Sequence, residues 1–452
     1  LAYSPDACNY YRIHGKNTSV KSYSGDTYYA EHETVAKTVQ RYYRVNREIF
    51  GRQRLNLIAH WRESRSSFSE EAFEKTYSLS RIDDAATGRA PNLLMASYGF
   101  CSGGGETFPV ELANLMKGSD YNITYLDCAQ EPRNEGVRAN LRRDIPVVSD
   151  FTHLETIISD FGIDLVHSHH AWVDSTILDL LPPDLDCRTI VTLHGMYETI
   201  NSVDLRFILP RLVKRSARLI YVADKNLSAL KAHKLTRKEQ LVRIENALSP
   251  ADFEPVQRSS LGISEKAFVV TLISRGMVEK GWKEAIQVVG QTRAISGNDI
   301  HLILVGDGAE YDRLLALNLP EYIHLEGFQR NVRGYFAIAD VGILPSKFRG
   351  ESSPLVIIEC LQAGRPFLAS SLGDISHMLS SPGGLAGSLI ELDGLEIDIP
   401  LWAKTIDDLA SDKQALELLQ SRVAGAAKKF DAAAMIKKHD EVYRSVLGET
   451  GL

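Results

Sequence analysis

From about residue 91 onward, short apolar runs alternate with longer segments whose apolar residues recur at helical spacing. This alternation is typical of βαβ units, in which helices connect parallel strands. The runs form two sets of six, which indicate an α/β chain with two doubly wound domains and a ligand cleft between them. The predicted strands are residues 92–97, 123–128, 165–168, 189–193, 219–223, 242–245, 268–273, 300–305, 323–325, 341–344, 366–370 and 388–392.

The domain boundary is predicted where the strand pattern pauses, in the sequence Ala-Leu-Ser-Pro at 247–250. Residues 91–250 then form one Rossmann-like domain and residues 251–430 a second. Apolar residues at helical spacing predict a terminal amphipathic helix within 431–452. Residues 1–90 have few strand signals and are predicted to be an N-terminal extension with helical segments.

Charge and cysteine content exclude several classes of protein. The net charge of −7 comes from 51 lysines and arginines against 58 aspartates and glutamates, so there is no global basic field to bind nucleic acid. Five cysteines without a C-x-x-C pair argue against a disulfide framework and a structural zinc site, and favour the cytoplasm. We find no membrane-spanning run and no signal-peptide pattern. Because the sequence begins at Leu1, we expect it to be part of a longer polypeptide.

Two glutamates eight positions apart, Glu351 and Glu359, follow the predicted strand at 341–344. Ser353 is a good helix N-cap and Pro354 suits a first helical position, so a helix is predicted to open there with its free amides available to an anion such as a diphosphate. Glu351 then lies beside the anion, and Glu359 lies in an apolar run where it needs a polar partner. Sugar hydroxyls are one suitable partner, and a lysine or solvent is the alternative.

Two further segments place phosphate-binding groups at strand ends. Arg275 and Lys280 follow the first strand of the second domain and can converge on one anion, although loop cations also often face solvent. In the first domain, Gly104 and Gly105 lie in the turn Ser-Gly-Gly-Gly-Glu at 102–106, between a strand and a helix. Such a turn lets a ligand approach the backbone, or is simply tight.

Histidines cluster at the ends of two strands of the first domain, as His167, His169 and His170 and then His194. Both positions are predicted to face the cleft. No acidic or cysteine ligand pattern accompanies them, so no metal site is predicted. Each imidazole either contacts a ligand or bonds to the backbone as part of the core or rim.

A basic amphipathic segment extends from Arg206 to Arg218. It could meet a membrane surface or a phosphate-bearing lipid acceptor, but a solvated helix face that covers the first domain is the favoured interpretation.

The sequence Ala-Asp-Val-Gly-Ile-Leu-Pro-Ser at 339–346, the two spaced glutamates and the Gln-Ala-Gly-Arg-Pro at 362–366 together resemble the signature of family-four glycosyltransferases with the GT-B fold. The resemblance covers about residues 91–447. It implies two Rossmann-like domains facing across a cleft, with the acceptor side in the first and the nucleotide-sugar donor in the second. It also implies that the terminal helix crosses back to the first domain.

The resemblance assigns roles to individual residues. Glu351 would contact the donor sugar, Glu359 would hold the nucleotide ribose, and Arg275 and Lys280 would grip the diphosphate. His169 would reach the donor sugar, so the expected catalytic set is Glu351, His169, Arg275 and Lys280. The other expected donor-binding residues are Gly104, Gly105, His194, Phe328 beside the base, Ser353, Pro354, Leu355, Val356 and Gly373 in a turn near the sugar.

The sequence Tyr-Tyr-Arg-Ile-His-Gly-Lys-Asn-Thr-Ser at 10–19 resembles the closing segment of a family-two, GT-A-fold glycosyltransferase. This resemblance implies that a second glycosyltransferase module precedes the present sequence in the full-length chain, and that the N-terminal extension contains its tail.

The resulting expectation is a hexosyltransferase-type enzyme that moves a sugar from a nucleotide-sugar donor to a saccharide or lipid-linked saccharide, with retention of configuration, in cell-surface polysaccharide or glycoconjugate synthesis. No cofactor or metal is expected, and the location is cytoplasmic, including the inner face of the membrane. Two alternatives stay open: a nucleotide-sugar 2-epimerase, and a non-catalytic nucleotide-sugar-binding module of a larger bifunctional glycosyltransferase.

Overall fold

The structure is a computed structural model that describes residues 26–42, 45, 47–65, 67–85, 90–117, 120–129, 134–149, 151–182, 188–250 and 252–448. Its strands are β1 Asn92–Ser97, β2 Asn122–Asp127, β3 Val147–Val148, β4 Leu165–Ser168, β5 Arg188–Leu193, β6 Arg218–Tyr221, β7 Leu241–Arg243, β8 Phe268–Ile273, β9 Ile300–Val305, β10 Ile323–Gly327, β11 Val341–Leu344, β12 Phe367–Ser370, β13 Ser380–Ser381, β14 Gly384–Leu385 and β15 Gly387–Ile390.

The helices are α1 Asp26–Tyr42, α2 Arg47–Ser64, α3 Glu70–Thr76, α4 Leu79–Asp84, α5 Gly104–Met116, α6 Glu135–Arg138, α7 Leu154–Phe161, α8 Ala171–Leu180, α9 Ser202–Arg215, α10 Ser228–Ala232, α11 Trp282–Ser296, α12 Ala309–Leu315, α13 Val332–Ile338, α14 Leu355–Gln362, α15 Ile375–Leu379, α16 Ile399–Ser411, α17 Lys413–Ala427 and α18 Ala432–Leu447.

The first domain is built on a parallel sheet in the order β3-β2-β1-β4-β5-β6-β7. The strand order reverses between β1 and β4, which creates the crevice where ligands bind in doubly wound folds. The sequence pattern missed β3 because this strand has only two residues, too few for a recognisable apolar run.

The second domain is built on a six-stranded parallel sheet in the order β10-β9-β8-β11-β12-β15. Its order reverses between β8 and β11. A separate antiparallel pair, β13 and β14, escaped the sequence analysis for the same reason as β3. The predicted α/β class with two doubly wound domains is therefore confirmed.

The central strands of both sheets are buried on both faces, as covering by helices requires. All six residues of β1 are buried, and so are the last five of β8. This two-sided burial explains why the strands appear in the sequence as continuous apolar runs.

The terminal helix α18 begins at Ala432, after Asp431 accepts hydrogen bonds from the amides of Ala433 and Ala434. It lies against the first domain. The Tyr443 hydroxyl is 2.7 Å from Nδ1 of His167 in β4, and the Tyr121 hydroxyl donates to Asp440 at 2.7 Å. The last helix of the chain therefore joins the second domain to the first.

Residues 26–85 form a helical unit from α1 to α4 with its own aromatic core, which includes Tyr29, Trp61, Phe73 and Tyr77. Arg81 donates to the buried carboxylate of Glu33 and fixes α4 to α1. The segment at 10–19 that resembles a GT-A enzyme lies outside the described residues. No helix in the described part of the chain is both long and apolar enough to cross a membrane.

Candidate active site

A cavity of about 720 Å³ lies between the two domains, where the loops at the carboxyl ends of their central strands meet. Thirteen of the fourteen residues predicted from the sequence line it. These thirteen are Gly104, Gly105, His169, His194, Arg275, Lys280, Phe328, Glu351, Ser353, Pro354, Leu355, Val356 and Glu359.

Gly373 is the one predicted residue that does not line the cavity. Its φ is +56°, and a Cβ there would lie 2.6 Å from the carbonyl oxygens of Glu351 and Ser352. The next residue, Asp374, donates its amide to the same Ser352 carbonyl at 2.8 Å. The turn therefore supports the loop that carries Glu351, and the expected contact of Gly373 with the donor stays a prediction.

Glu351 and Lys280 form an ion pair in the wall of the cleft. The Lys280 ammonium is 2.7 Å from the carboxylate of Glu351, which is 5% exposed. The Ser346 hydroxyl donates to the same carboxylate oxygen at 2.8 Å. Both groups are thus held firmly by residues of the second domain.

Arg275 is held more loosely. Its side chain is 40% exposed, and its guanidinium is 3.8 Å from the carboxylate of Glu106 in the first domain. Burial raises the pKa of Glu106, while Arg275 and Lys280 act in the opposite direction. Glu106 could not be identified from the sequence as a site residue, because the helix dipole alone already favours an acid in the first turn of a helix.

Helix α14 begins at Leu355, one residue later than predicted. Pro354 is the N-cap, with φ −65° and an extended ψ of 122°, and it takes the place assigned to Ser353. The Ser353 hydroxyl instead contacts the sulfur of Met378 at 3.7 Å. The start of the helix still lines the cleft, so its first amides are available to an anion.

Glu359 lies in the second turn of α14 and is partly buried. Among the described residues, its carboxylate has no hydrogen-bond or ion-pair partner. Burial raises the pKa of Glu359 to about 7; Arg333 opposes this shift and Glu111 adds to it. A ligand that donates hydroxyl groups would supply the missing partners.

The histidines divide into two groups. His169 and His194 line the cleft, with Nδ1 of His169 3.1 Å from Nε2 of His194. Burial lowers the pKa of His169 well below its ordinary value and that of His194 to about 3, so both rings are neutral at pH 7. His167 does not line the cavity and bonds to Tyr443 and Thr192. Within the described residues, no three His, Cys, Asp or Glu side chains are arranged to hold a metal ion.

Phe328 is half-buried and lies against the first domain. A Cβ at Gly136 would be 2.1 Å from its ring, so only glycine allows this contact.

Polar contacts also join the two domains around the cavity. The Asn134 amide donates to the Asp307 carboxylate at 2.8 Å. On the other side of the cleft, Asn226 donates to the Ser352 hydroxyl at 2.8 Å. The two domains thus contact each other around the cavity through residues that the sequence analysis did not select.

Comparison with known proteins gives a match on each domain. A family described as Glycosyltransferase Family 4 matches residues 102–252, and one described as Glycosyl transferases group 1 matches residues 267–412. An uncharacterized glycosyltransferase of Methanocaldococcus jannaschii is 24% identical over 312 residues, which cover 64% of this chain and 81% of that protein. The lipopolysaccharide core biosynthesis glycosyltransferase LpsD of Rhizobium meliloti is 30% identical over 146 residues, or 31% of this chain and 40% of LpsD.

Solved structures share the fold. Anabaena HepE in complex with UDP and glucose has a TM-score of 0.64 and 18% identity, covering 78% of this chain and all of HepE. WaaG, a glycosyltransferase involved in lipopolysaccharide biosynthesis, has a TM-score of 0.57 and 13% identity, covering 78% of this chain and 99% of WaaG. With both domains matched, the chain is a glycosyltransferase of the GT-B fold.

Proposed function

We propose that this glycosyltransferase takes a hexosyl group from a nucleotide sugar and transfers it to a saccharide or lipid-linked saccharide. The observation that carries the proposal is the composition of one cavity. Arg275 and Lys280, the two spaced glutamates and the first turn of α14 all line it. Cations and helix amides suit a diphosphate, and carboxylates suit the hydroxyls of ribose and sugar.

The comparisons support the class of donor and acceptor. The HepE structure contains UDP and glucose. LpsD and WaaG are described as glycosyltransferases of lipopolysaccharide biosynthesis. By analogy, a nucleoside diphosphate is the leaving group here, and the product belongs to a cell-surface polysaccharide or glycoconjugate.

The chemistry we propose is stabilisation of the leaving group. As the anomeric C–O bond opens, its electron pair goes to the diphosphate, whose growing charge meets Arg275, Lys280 and the start of α14. These groups carry that charge without a metal ion. The acceptor hydroxyl attacks from the face that the diphosphate leaves, gives its proton to the departing phosphate oxygen and so retains configuration. Glu351 orients the donor sugar and Glu359 holds the ribose.

We also propose that α9 contacts the inner face of the membrane, in a cytoplasmic enzyme. The contact surface is smaller than the basic segment predicted from the sequence. Arg211 pairs with Asp179, and Arg215 donates to the carbonyls of Leu178 and Leu181, so these two cations stabilise the first domain. One face of the helix is exposed, and it consists of Val203, Arg206, Phe207, Pro210 and Lys214.

A binding screen tests the proposed donor. Thermal unfolding is measured with UDP, GDP, ADP and CDP and with their nucleotide sugars, because a ligand that binds only the folded protein raises its melting temperature. We expect one base to stabilise the protein, and Glu359→Ala to abolish that shift. If none of these ligands shifts the melting temperature of wild-type protein, the proposed donor is wrong.

The products separate the two remaining alternatives. Incubation with the best-binding nucleotide sugar should slowly release nucleoside diphosphate and the unchanged hexose without acceptor. Release of the 2-epimeric sugar would identify an epimerase, and tight binding without any turnover would identify a non-catalytic module.

A further inference from the structure

Glu106 is a cleft carboxylate that the proposed reaction does not use. It lies in the first turn of α5, is 7% exposed and lines the same cavity as Arg275 and Lys280. Its carboxylate is 3.8 Å from the Arg275 guanidinium, beyond hydrogen-bonding distance. Among the described residues, the closest cation to this buried carboxylate is the loosely placed Arg275, and the backbone amide of Glu106 itself also bonds to it.

The glycine turn before α5 makes this arrangement possible. Gly103 has a φ of +155°, and a Cβ there would lie 2.4 Å from the Glu106 carboxylate and 2.9 Å from the Arg275 guanidinium. Any other residue would displace one of the two groups. The turn thus brings the carboxylate of the first domain and the cation of the second domain together.

The two cations of the site differ in how they are held. Lys280 has a close carboxylate at 2.7 Å, and Ser346 fixes that carboxylate from the other side. Within the described part of the chain, the carboxylate paired with Arg275 is the distant Glu106, and the Arg275 side chain is 40% exposed. Of the two cations, Arg275 is therefore the one whose guanidinium can more readily form hydrogen bonds with an incoming anion.

We propose that Glu106 is a positioning residue that orients Arg275 before the diphosphate binds and then competes with the diphosphate for it. The inference rests on the proposed binding of a nucleoside diphosphate at Arg275. A diphosphate offers the guanidinium closer, charge-assisted hydrogen bonds than Glu106 does, so it takes over the cation. The displaced carboxylate then lies next to a like charge in a poorly solvated site, which weakens nucleotide binding and speeds product release.

The test is the affinity for UDP, GDP, ADP and CDP, measured by titration calorimetry on wild-type protein and on Glu106→Gln. Glutamine keeps the size of the side chain and removes its charge. Glu310→Gln is the matched control, because Glu310 is also a buried carboxylate next to an arginine, Arg313 at 2.9 Å, but does not line the cavity. The double variant Glu106→Gln/Arg275→Gln is compared with Arg275→Gln alone.

We expect Glu106→Gln to lower the dissociation constant of the preferred diphosphate by about tenfold, because a competing charge is gone. Glu310→Gln should leave the constant within about twofold of wild type. In the Arg275→Gln background the Glu106 change should tighten binding clearly less than it does in wild type, because competition for the cation is absent and only the repulsion between like charges is relieved. Turnover of Glu106→Gln should show kcat and KM falling together, since slower product release limits the rate.

Weaker or unchanged diphosphate binding by Glu106→Gln would overturn the inference, because a purely structural carboxylate gives that result. Equal tightening with and without Arg275 would also overturn it. Failure of the proposed function looks different: wild-type protein then binds none of the four diphosphates.

Discussion

At the scale of single residues, the most informative group is the carboxylate of Glu359. Its position one turn into a helix, inside an apolar run, could be predicted from the sequence. The lack of a hydrogen-bond partner for this carboxylate could not be predicted, because it depends on which other elements pack around Glu359. In the structure, Arg333 and Glu111 come close enough to influence its charge, but no described residue forms a hydrogen bond with it. An unpaired carboxylate in a cleft is best explained by an absent ligand.

The raised pKa of Glu359 predicts a pH dependence of stability. Its folded-state pKa of about 7 lies above the ordinary 4.5, so the folded protein holds this proton more tightly than the unfolded chain does. The protonated Glu359 therefore makes its full contribution to the free energy of unfolding below about pH 4.5. This contribution is lost as the pH rises to about 7, and the loss is on the order of 1 to 3 kcal/mol.

Urea unfolding of the ligand-free protein at pH 5 and pH 8 measures this loss. Glu359→Gln has no proton to lose, so it should be more stable than wild type at pH 8 and show a smaller change between the two pH values. An identical change in both proteins would contradict the raised pKa.

The two cations should respond differently to removal. Arg275→Ala should cost about 2 to 4 kcal/mol of transition-state stabilisation with little change in folding, because its side chain is half-exposed and loosely paired. Lys280→Ala should lose similar activity and also about 3 kcal/mol of folding stability, because it leaves the buried Glu351 carboxylate without its cation. Steady-state kinetics and urea unfolding on both variants separate these effects; equal stability losses would contradict the assigned pairing.

At the scale of elements, the central strands could be predicted because burial on both faces makes them continuous apolar runs. The two-residue strands β3, β13 and β14 could not, since pairing with a neighbour, rather than a local pattern, defines them. Helix α14 begins one residue later than the sequence predicted. The fixed φ of Pro354 suits both a cap and a first helical position, and its extended ψ makes it the cap.

The terminal helix α18 offers a test at this scale. Truncation after Lys429 removes its contacts with β4 and with the tyrosine that precedes β2, including the hydrogen bond between Tyr443 and His167. We expect the first domain to unfold at lower temperature and activity to fall, while the second domain keeps its hydrogen-exchange protection. Tyr443→Phe is the milder control and should cost about 1 to 3 kcal/mol, since it leaves buried His167 without this partner. Loss of protection in the second domain alone would contradict this account.

At the scale of the whole molecule, the cleft is formed by contacts between residues more than 100 positions apart. Asn134 reaches Asp307, Asn226 reaches Ser352, and Arg243 reaches Asp374 at 2.6 Å. None has a local signature, because each depends on how the two domains meet. The resemblance to family-four enzymes supplied residues that line the cavity, and the structure added those that join the domains around it, together with Glu106.

We propose that this cleft binds a nucleotide sugar through Arg275, Lys280, Glu351 and Glu359 and cleaves it without a metal ion. The most direct measurement is release of nucleoside diphosphate from a panel of nucleotide sugars, in EDTA and without acceptor, by wild-type protein and by Glu359→Ala. We predict slow release from one donor by wild-type protein, unchanged by EDTA and reduced at least tenfold in the folded variant. A strict requirement for divalent metal, or equal rates in the two proteins, would contradict the claim.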